Sequence, residues 1–168
     1  ILETVDFVSK QELTPITHLP ARTMKDLDHV SDFLKELRNR TDSKKILVIG
    51  GGGNQNGSVS SSLEILECGL LKDNEFEEIG IAGHPEGSPD IDQNTVNEFL
   101  DKKYELSKNK NLSLELVTQF FFNAEPFIKW CKFLDNSNIK LPVRVGFPGP
   151  ASFKTCLLYT SPSPRDCR

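Results

Sequence analysis

Five short runs rich in β-branched and apolar residues recur along this 168-residue chain: 14–19, 45–50, 78–83, 112–121 and 141–147. They repeat about every 30 residues, and each is followed by a stretch with apolar residues at helical spacing. No other feature constrains the fold as much. Antiparallel strands can be joined by tight turns, whereas parallel strands need crossovers of about a dozen residues or more, usually helices. The pattern therefore predicts an α/β protein, either a barrel or an open doubly wound sheet. An open sheet that binds nucleotides usually has a glycine-rich first turn, and residues 50–57 (Gly-Gly-Gly-Gly-Asn-Gln-Asn-Gly) have the right composition. They fail both tests: no frame reads G-x-G-x-x-G, and Gly57 is followed by Ser58 and Val59 rather than by Lys and Ser/Thr. A barrel is favoured. A full (β/α)8 TIM barrel needs about 250 residues. The expectation is thus a partial one of about five strand–helix units, an incomplete barrel domain over 1–155 that is cut at both ends.

The helical stretches carry their own signals. Met24, Leu27, Val30, Leu34 and Leu37 fall on one face after the first run, with Thr23 a candidate N-cap three residues before Asp26. A helix over 60–71 is expected after the second, with Ser61 and Glu64 spaced as a capping box. Val96, Phe99, Leu100 and Tyr104 form the third stripe, and Phe127, Trp130, Cys131 and Leu134 the fourth.

Composition narrows the function. The chain is 37% hydrophobic and 26% charged, with net charge −4 and a pI near 5.4. Mild acidity without Lys/Arg clusters argues against nucleic acid or an anionic membrane as partner. No apolar stretch approaches the ~18–20 residues that span a bilayer, and no signal-peptide pattern opens the chain. A cytoplasmic protein is expected. Residues 156–166 resemble the translation of a transposase adapter from DNA sequencing libraries, so 156–168 are read as a non-native tail and left out of fold reasoning. The remaining cysteines, Cys68 and Cys131, have no paired spacing and read as small buried residues.

In parallel α/β folds the chemistry gathers where strands end and helices begin. Those edges hold His18, the glycine run 50–57, the segment His84 to Asp90, then Thr118, Gln119 and Asn123, and finally 146–149. Bare backbone N–H groups in the glycine run would let an anion approach, though a flexible loop tip explains the run as well. Two prolines would hold His84, Glu86 and Ser88, and a polar turn with a helix cap near Asp92 accounts for the same residues. Gln119 interrupts an otherwise mostly apolar run over 114–122. If buried, its amide must be hydrogen-bonded or it costs about 1–3 kcal/mol. An amide that donates and accepts side by side suits an amide-like heterocycle. Phe120 to Phe122 read as core packing. Lys103, on the buried stripe of its helix, either snorkels to water or reaches a phosphate at the barrel mouth. No His/Cys/Asp spacing supports a metal site.

The ordered set 81–90 (Ile-Ala-Gly-His-Pro-Glu-Gly-Ser-Pro-Asp), Lys103, 117–123 (Val-Thr-Gln-Phe-Phe-Phe-Asn) and 145–154 (Val-Gly-Phe-Pro-Gly-Pro-Ala-Ser-Phe-Lys) resembles the methylenetetrahydrofolate reductase family over nearly all of 14–155. The resemblance implies a TIM-barrel flavoprotein of one-carbon and methionine metabolism. FAD would bind at the carboxyl end of the barrel, with NAD(P)H as co-substrate and 5,10-methylenetetrahydrofolate reduced to 5-methyltetrahydrofolate. Gln119 matches the family's strand glutamine, which bonds folate and nicotinamide in turn. His18 and Lys103 match flavin contacts, Gly51 a backbone glycine beside the flavin, and Ser60 a position near its adenosine part. His84 and Ser88 stand at flavin-site positions where the family has tyrosine and histidine.

The same resemblance marks departures. Gly50, Gly51 and Gly52 replace an Arg-Gly-Asp sequence, and the family's catalytic glutamate has no counterpart in 1–168. A divergent subgroup is the expectation, with folate as small-molecule partner and a homo-oligomer for the full-length protein. Two alternatives remain: a non-catalytic barrel that keeps folate or flavin binding, and an unrelated barrel lyase using Glu86 and His84 as an acid/base pair.

Overall fold

A computed structural model describes residues 1–52, 55–88, 91–121 and 123–147. The readings of 156–168 as a tail, and of Phe122, Pro89 and Asp90 as packing or loop residues, lie outside the described residues. In chain order the elements are α1 (Leu2–Lys10), β1 (Thr17–Pro20), a 3-10 turn (Ala21–Thr23), α2 (Leu27–Arg38) and β2 (Lys45–Ile49). Then come α3 (Ser62–Glu67), α4 (Leu70–Asp73), β3 (Glu78–Gly83), α5 (Gln93–Lys110), β4 (Leu114–Phe120), α6 (Ala124–Asn136) and β5 (Val143–Gly146).

All five expected strands form, with ends shifted by up to three residues, and all pair in parallel in the order β1-β2-β3-β4-β5. The order never reverses among the described strands, unlike a doubly wound sheet with its switch point. Register explains the core. Thr17, Ile46, Ile79 and Leu114 form one row, and Leu19, Val48, Ile81, Leu116 and Val143 the next but one. Both rows face the same way, because side chains alternate along a strand. They pack with Val5 of α1, Val30, Leu34 and Leu37 of α2, Ile65 and Leu66 of α3, Leu71 of α4, Leu100 of α5, and Trp130 and Leu134 of α6. Every helix thus contributes to one core on one face of the sheet. Burying each of these large side chains stabilises the fold by about 1.5–3 kcal/mol.

The opposite face carries the intervening rows, His18–Leu47–Gly80–Glu115 and Ala82–Val117–Arg144. Its lower part is ionic. Arg144 donates two hydrogen bonds to Glu115 at 3.0 and 2.9 Å, and Lys45 pairs with Glu78 at 2.7 Å. Among the described residues no helix is long and apolar enough to cross a membrane.

The structure departs from the sequence expectations at several places. α1, which precedes the first strand, was not anticipated. α2 is capped by Asp26, which accepts from the His29 N–H at 2.8 Å, while Thr23 sits in the 3-10 turn and donates its hydroxyl to the Pro20 carbonyl. The single helix expected over 60–71 is two short ones, broken at Gly69, whose φ of +84° a helix cannot continue. Ser61 does cap α3, accepting from the Glu64 N–H, and the Glu64 carboxylate reaches back one residue further than a capping box requires, to Ser60. Phe120 is 40% exposed, so of the expected phenylalanine packing only Phe121 is buried in the described residues, stacked on Phe127 at 5.1 Å. Cys68 and Cys131 are free thiols, half-buried rather than fully buried.

Candidate functional site

The carboxyl ends of β3 and β4 bring together three of the residues singled out. His84 follows β3 directly, in a turn closed by the Gly87 N–H on the His84 carbonyl at 3.2 Å, with Gly87 at φ +82°. Gly83 pairs with Thr118 across the ladder, so His84 and Gln119 leave the paired register side by side. Thr118 is buried toward the helices and Gln119 points the other way, exposed on the open face. The requirement for a buried, bonded amide therefore does not arise: among the described residues Gln119 is free, with solvent on its amide. Lys103 lies on the core side of α5. Its pKa is lowered to about 8 by burial. His84 is half-buried, and its pKa is lowered by burial and then by the nearby Lys103 charge. Both groups thus hold their protons less firmly than in water.

β4 is irregular at this point. Its register against β5 shifts between Val117 and Phe120. The Gly146 N–H donates to the Thr118 hydroxyl at 3.0 Å, and a Cβ on Gly146 would lie 2.9–3.0 Å from the Thr118 carbonyl oxygen, the Gln119 carbonyl carbon and the Phe120 nitrogen. β5 is therefore seated against the irregular turn of β4 that aims Gln119. Such irregularities often re-aim a side chain beside a site. Sequence reasoning missed this staple, although a Thr at core parity and a Gly in the last strand were its visible signs.

Among the described residues the glycine run does not lead directly into a helix. α3 begins at Ser62, five residues beyond Gly57. The Asn56 and Ser58 N–H groups are spent on the Arg22 and Lys25 carbonyls at 2.8 and 2.7 Å, and the Arg22 N–H donates to the Gly50 carbonyl at 2.9 Å. A Cβ on Gly57 would fall 2.1 Å from the Lys25 carbonyl oxygen, and one on Gly51, at φ +83°, would lie 3.0 Å from the Pro20 Cβ. These described glycines bind the loop after β2 to the loop after β1. Ser60 is exposed, with its N–H and hydroxyl turned to the Glu64 carboxylate.

His18 stands apart. It lies within β1 rather than past its end, level with Leu47, Gly80 and Glu115. Three strand spacings separate β1 from β4, roughly 14 Å. Ser88 is half-buried at the far side of the His84 loop, and Glu86 is exposed. Two hollows flank the region. One, of about 500 Å³, is lined by Pro85, Glu86, Gln93, Asn97, Lys129 and Trp130, and the other, of about 610 Å³, runs from α1 to His18. Neither is lined by Gln119 or Lys103. Among the described residues no group of three or more His, Cys, Asp or Glu side chains could hold a metal ion. Asp92 caps α5, accepting from the Asn94 and Thr95 N–H groups, so the cap expected there is present.

No model of a known protein family matches the chain.

Proposed function

We propose that this chain is part of a (β/α)8 barrel whose carboxyl end binds FAD and reduces 5,10-methylenetetrahydrofolate to 5-methyltetrahydrofolate at the expense of NAD(P)H. The observation that carries the reading is that His84 and Gln119 leave the adjacent ends of β3 and β4 side by side, with the Lys103 charge of α5 near enough to lower the His84 pKa. Helices on one face and a strand order without reversal support the barrel.

The residues present fit a flavin in their chemistry. A flat apolar ring system needs an apolar bench, and the heterocycle laid against it needs a polar partner. Leu47, Ala82 and Val117 form the bench on the open face, and the Gln119 amide stands exposed beside it for the folate or nicotinamide. When bound, the flavin would take a hydride from the nicotinamide and pass it to the folate methylene carbon. Gln119 donates and accepts on its carboxamide, orienting whichever heterocycle lies against it. His84, held neutral at pH 7, can accept or donate one hydrogen bond without bringing a second positive charge beside Lys103. Thr118 and Gly146 keep the Gln119 backbone in place.

The substitution Gln119→Leu tests this. It removes an exposed amide and leaves the core untouched, so FAD retention should stay within about twofold while folate reduction falls by about 10²-fold or more. Equal loss of both would make Gln119 a structural residue and overturn its assigned role.

A further inference from the structure

Gly57 is the one glycine in the chain that follows an asparagine. An Asn–Gly pair carries a latent reaction. The glycine nitrogen can attack the asparagine side-chain carbonyl, because no side chain on the glycine crowds the approach. Folding suppresses the reaction wherever that nitrogen or that carboxamide is tied up. Here neither is: Asn56 is exposed, and among the described residues its carboxamide has no hydrogen-bond partner and the Gly57 N–H no acceptor. The groups on either side are held. The Asn56 N–H donates to the Arg22 carbonyl at 2.8 Å, and the Ser58 N–H and hydroxyl donate to the Lys25 carbonyl at 2.7 and 3.2 Å. Asn136, followed by Ser137, makes the contrast: it too is exposed, but the Ser137 N–H is spent on the Phe133 carbonyl at 2.9 Å.

We propose that Asn56–Gly57 is a self-modification site, where spontaneous deamidation lengthens the main chain and unlocks the joint between the loops after β1 and β2. The steps balance with water as the co-reactant. The Gly57 nitrogen loses its proton to solvent and bonds to the Asn56 Cγ. The Cγ–Nδ2 bond breaks, and Nδ2 takes up a proton and leaves as ammonia. Water then opens the resulting cyclic imide at either carbonyl. One opening leaves an ordinary aspartate, and the other leaves an isoaspartate, whose main chain runs through Cβ and Cγ. The isoaspartate puts one extra methylene between the anchors at Asn56 and Ser58. The joint has no slack to absorb it, since even a Cβ on Gly57 would fall 2.1 Å from the Lys25 carbonyl oxygen. At least one anchor is therefore lost. This inference rests on the loop joint alone and is independent of the flavin reading.

The test incubates the full chain at mildly alkaline pH and physiological temperature and follows the peptide spanning 55–58 by mass spectrometry. Electron-transfer fragmentation separates aspartate from isoaspartate. The mass at position 56 should change by the exchange of an NH for an O, with isoaspartate among the products. The rate should lie within about tenfold of that of the same chain in denaturant, because no opening step precedes the attack. In the isoaspartate form, exchange of the Ser58 amide hydrogen should quicken about tenfold or more. The variant Asn56→Asp supplies the charge without the extra methylene, and it should keep the Ser58 amide protected. An unchanged mass at position 56, or a folded-state rate more than about tenfold below the denatured one, would overturn the proposal. So would a Ser58 amide that stays protected in the isoaspartate form, or one that loses as much protection in Asn56→Asp.

Discussion

Lys103 carries an ammonium on the core-facing side of α5, with no carboxylate partner among the described residues, and burial lowers its pKa from 10.5 to about 8. The charged form is the penalised one in the folded state. Unfolding therefore takes up a proton between these values, and stability rises as pH climbs from about 8 toward 10.5. Lys103→Met should remove that rise and stabilise the chain at pH 7 by about 1–2 kcal/mol, after discounting for the solvent that reaches a half-buried side chain. Denaturant titration across this pH range reads both effects, and a flat profile in the parent chain would contradict them. A phosphate of FAD beside the amine would favour the charged form, so flavin binding should raise the Lys103 pKa, measurable by NMR of the lysine side chain. His84 works the same way lower on the scale: its depressed pKa makes stability fall as pH drops through 6.5. Sequence reading placed Lys103 on the buried stripe by counting from Val96 and Phe99. It could not tell that Gln119 would be exposed, because alternation in β4 gives core parity to Leu114, Leu116 and Thr118, and the two faces of a strand look alike until the helices choose one.

At the level of elements, the glycines after β2 show what composition conceals. Gly57 reads as one more residue of a flexible tip, yet it is the point where two loops touch, and a methyl group there would fall 2.1 Å from the Lys25 carbonyl oxygen. Gly57→Ala should destabilise the chain by about 3 kcal/mol or more, since backbone rather than a flexible side chain must move. Gly52→Ala, with open space around it, should cost far less in the same thermal melt. Equal melting temperatures for the two would refute the joint. Long periodic elements such as α5 and α6 were legible because their stripes run over several turns. α3 and α4 were merged because Gly69 interrupts an apolar stripe without changing its period. α1 escaped notice because it comes before the strand–helix repeat starts, and because its Val5 enters the core while Phe7 on its other side is 66% exposed.

At the scale of the whole molecule, the described residues form a row of five parallel strands with their helices on one face, and strand spacing alone carried that much. What spacing could not convey is distance between strands. His18 and Gln119 fall on the same open face, yet they stand three strands apart, so any shared ligand must span the sheet or the sheet must curve. The chemistry proposed for that face is tested most directly by loading the chain with FAD, reducing the flavin anaerobically, and adding 5,10-methylenetetrahydrofolate. The visible flavin absorbance should return in step with 5-methyltetrahydrofolate, and return slowly in the Gln119→Leu variant. A chain that takes up no FAD, or a reduced flavin that stays bleached in the presence of the folate, would contradict the account.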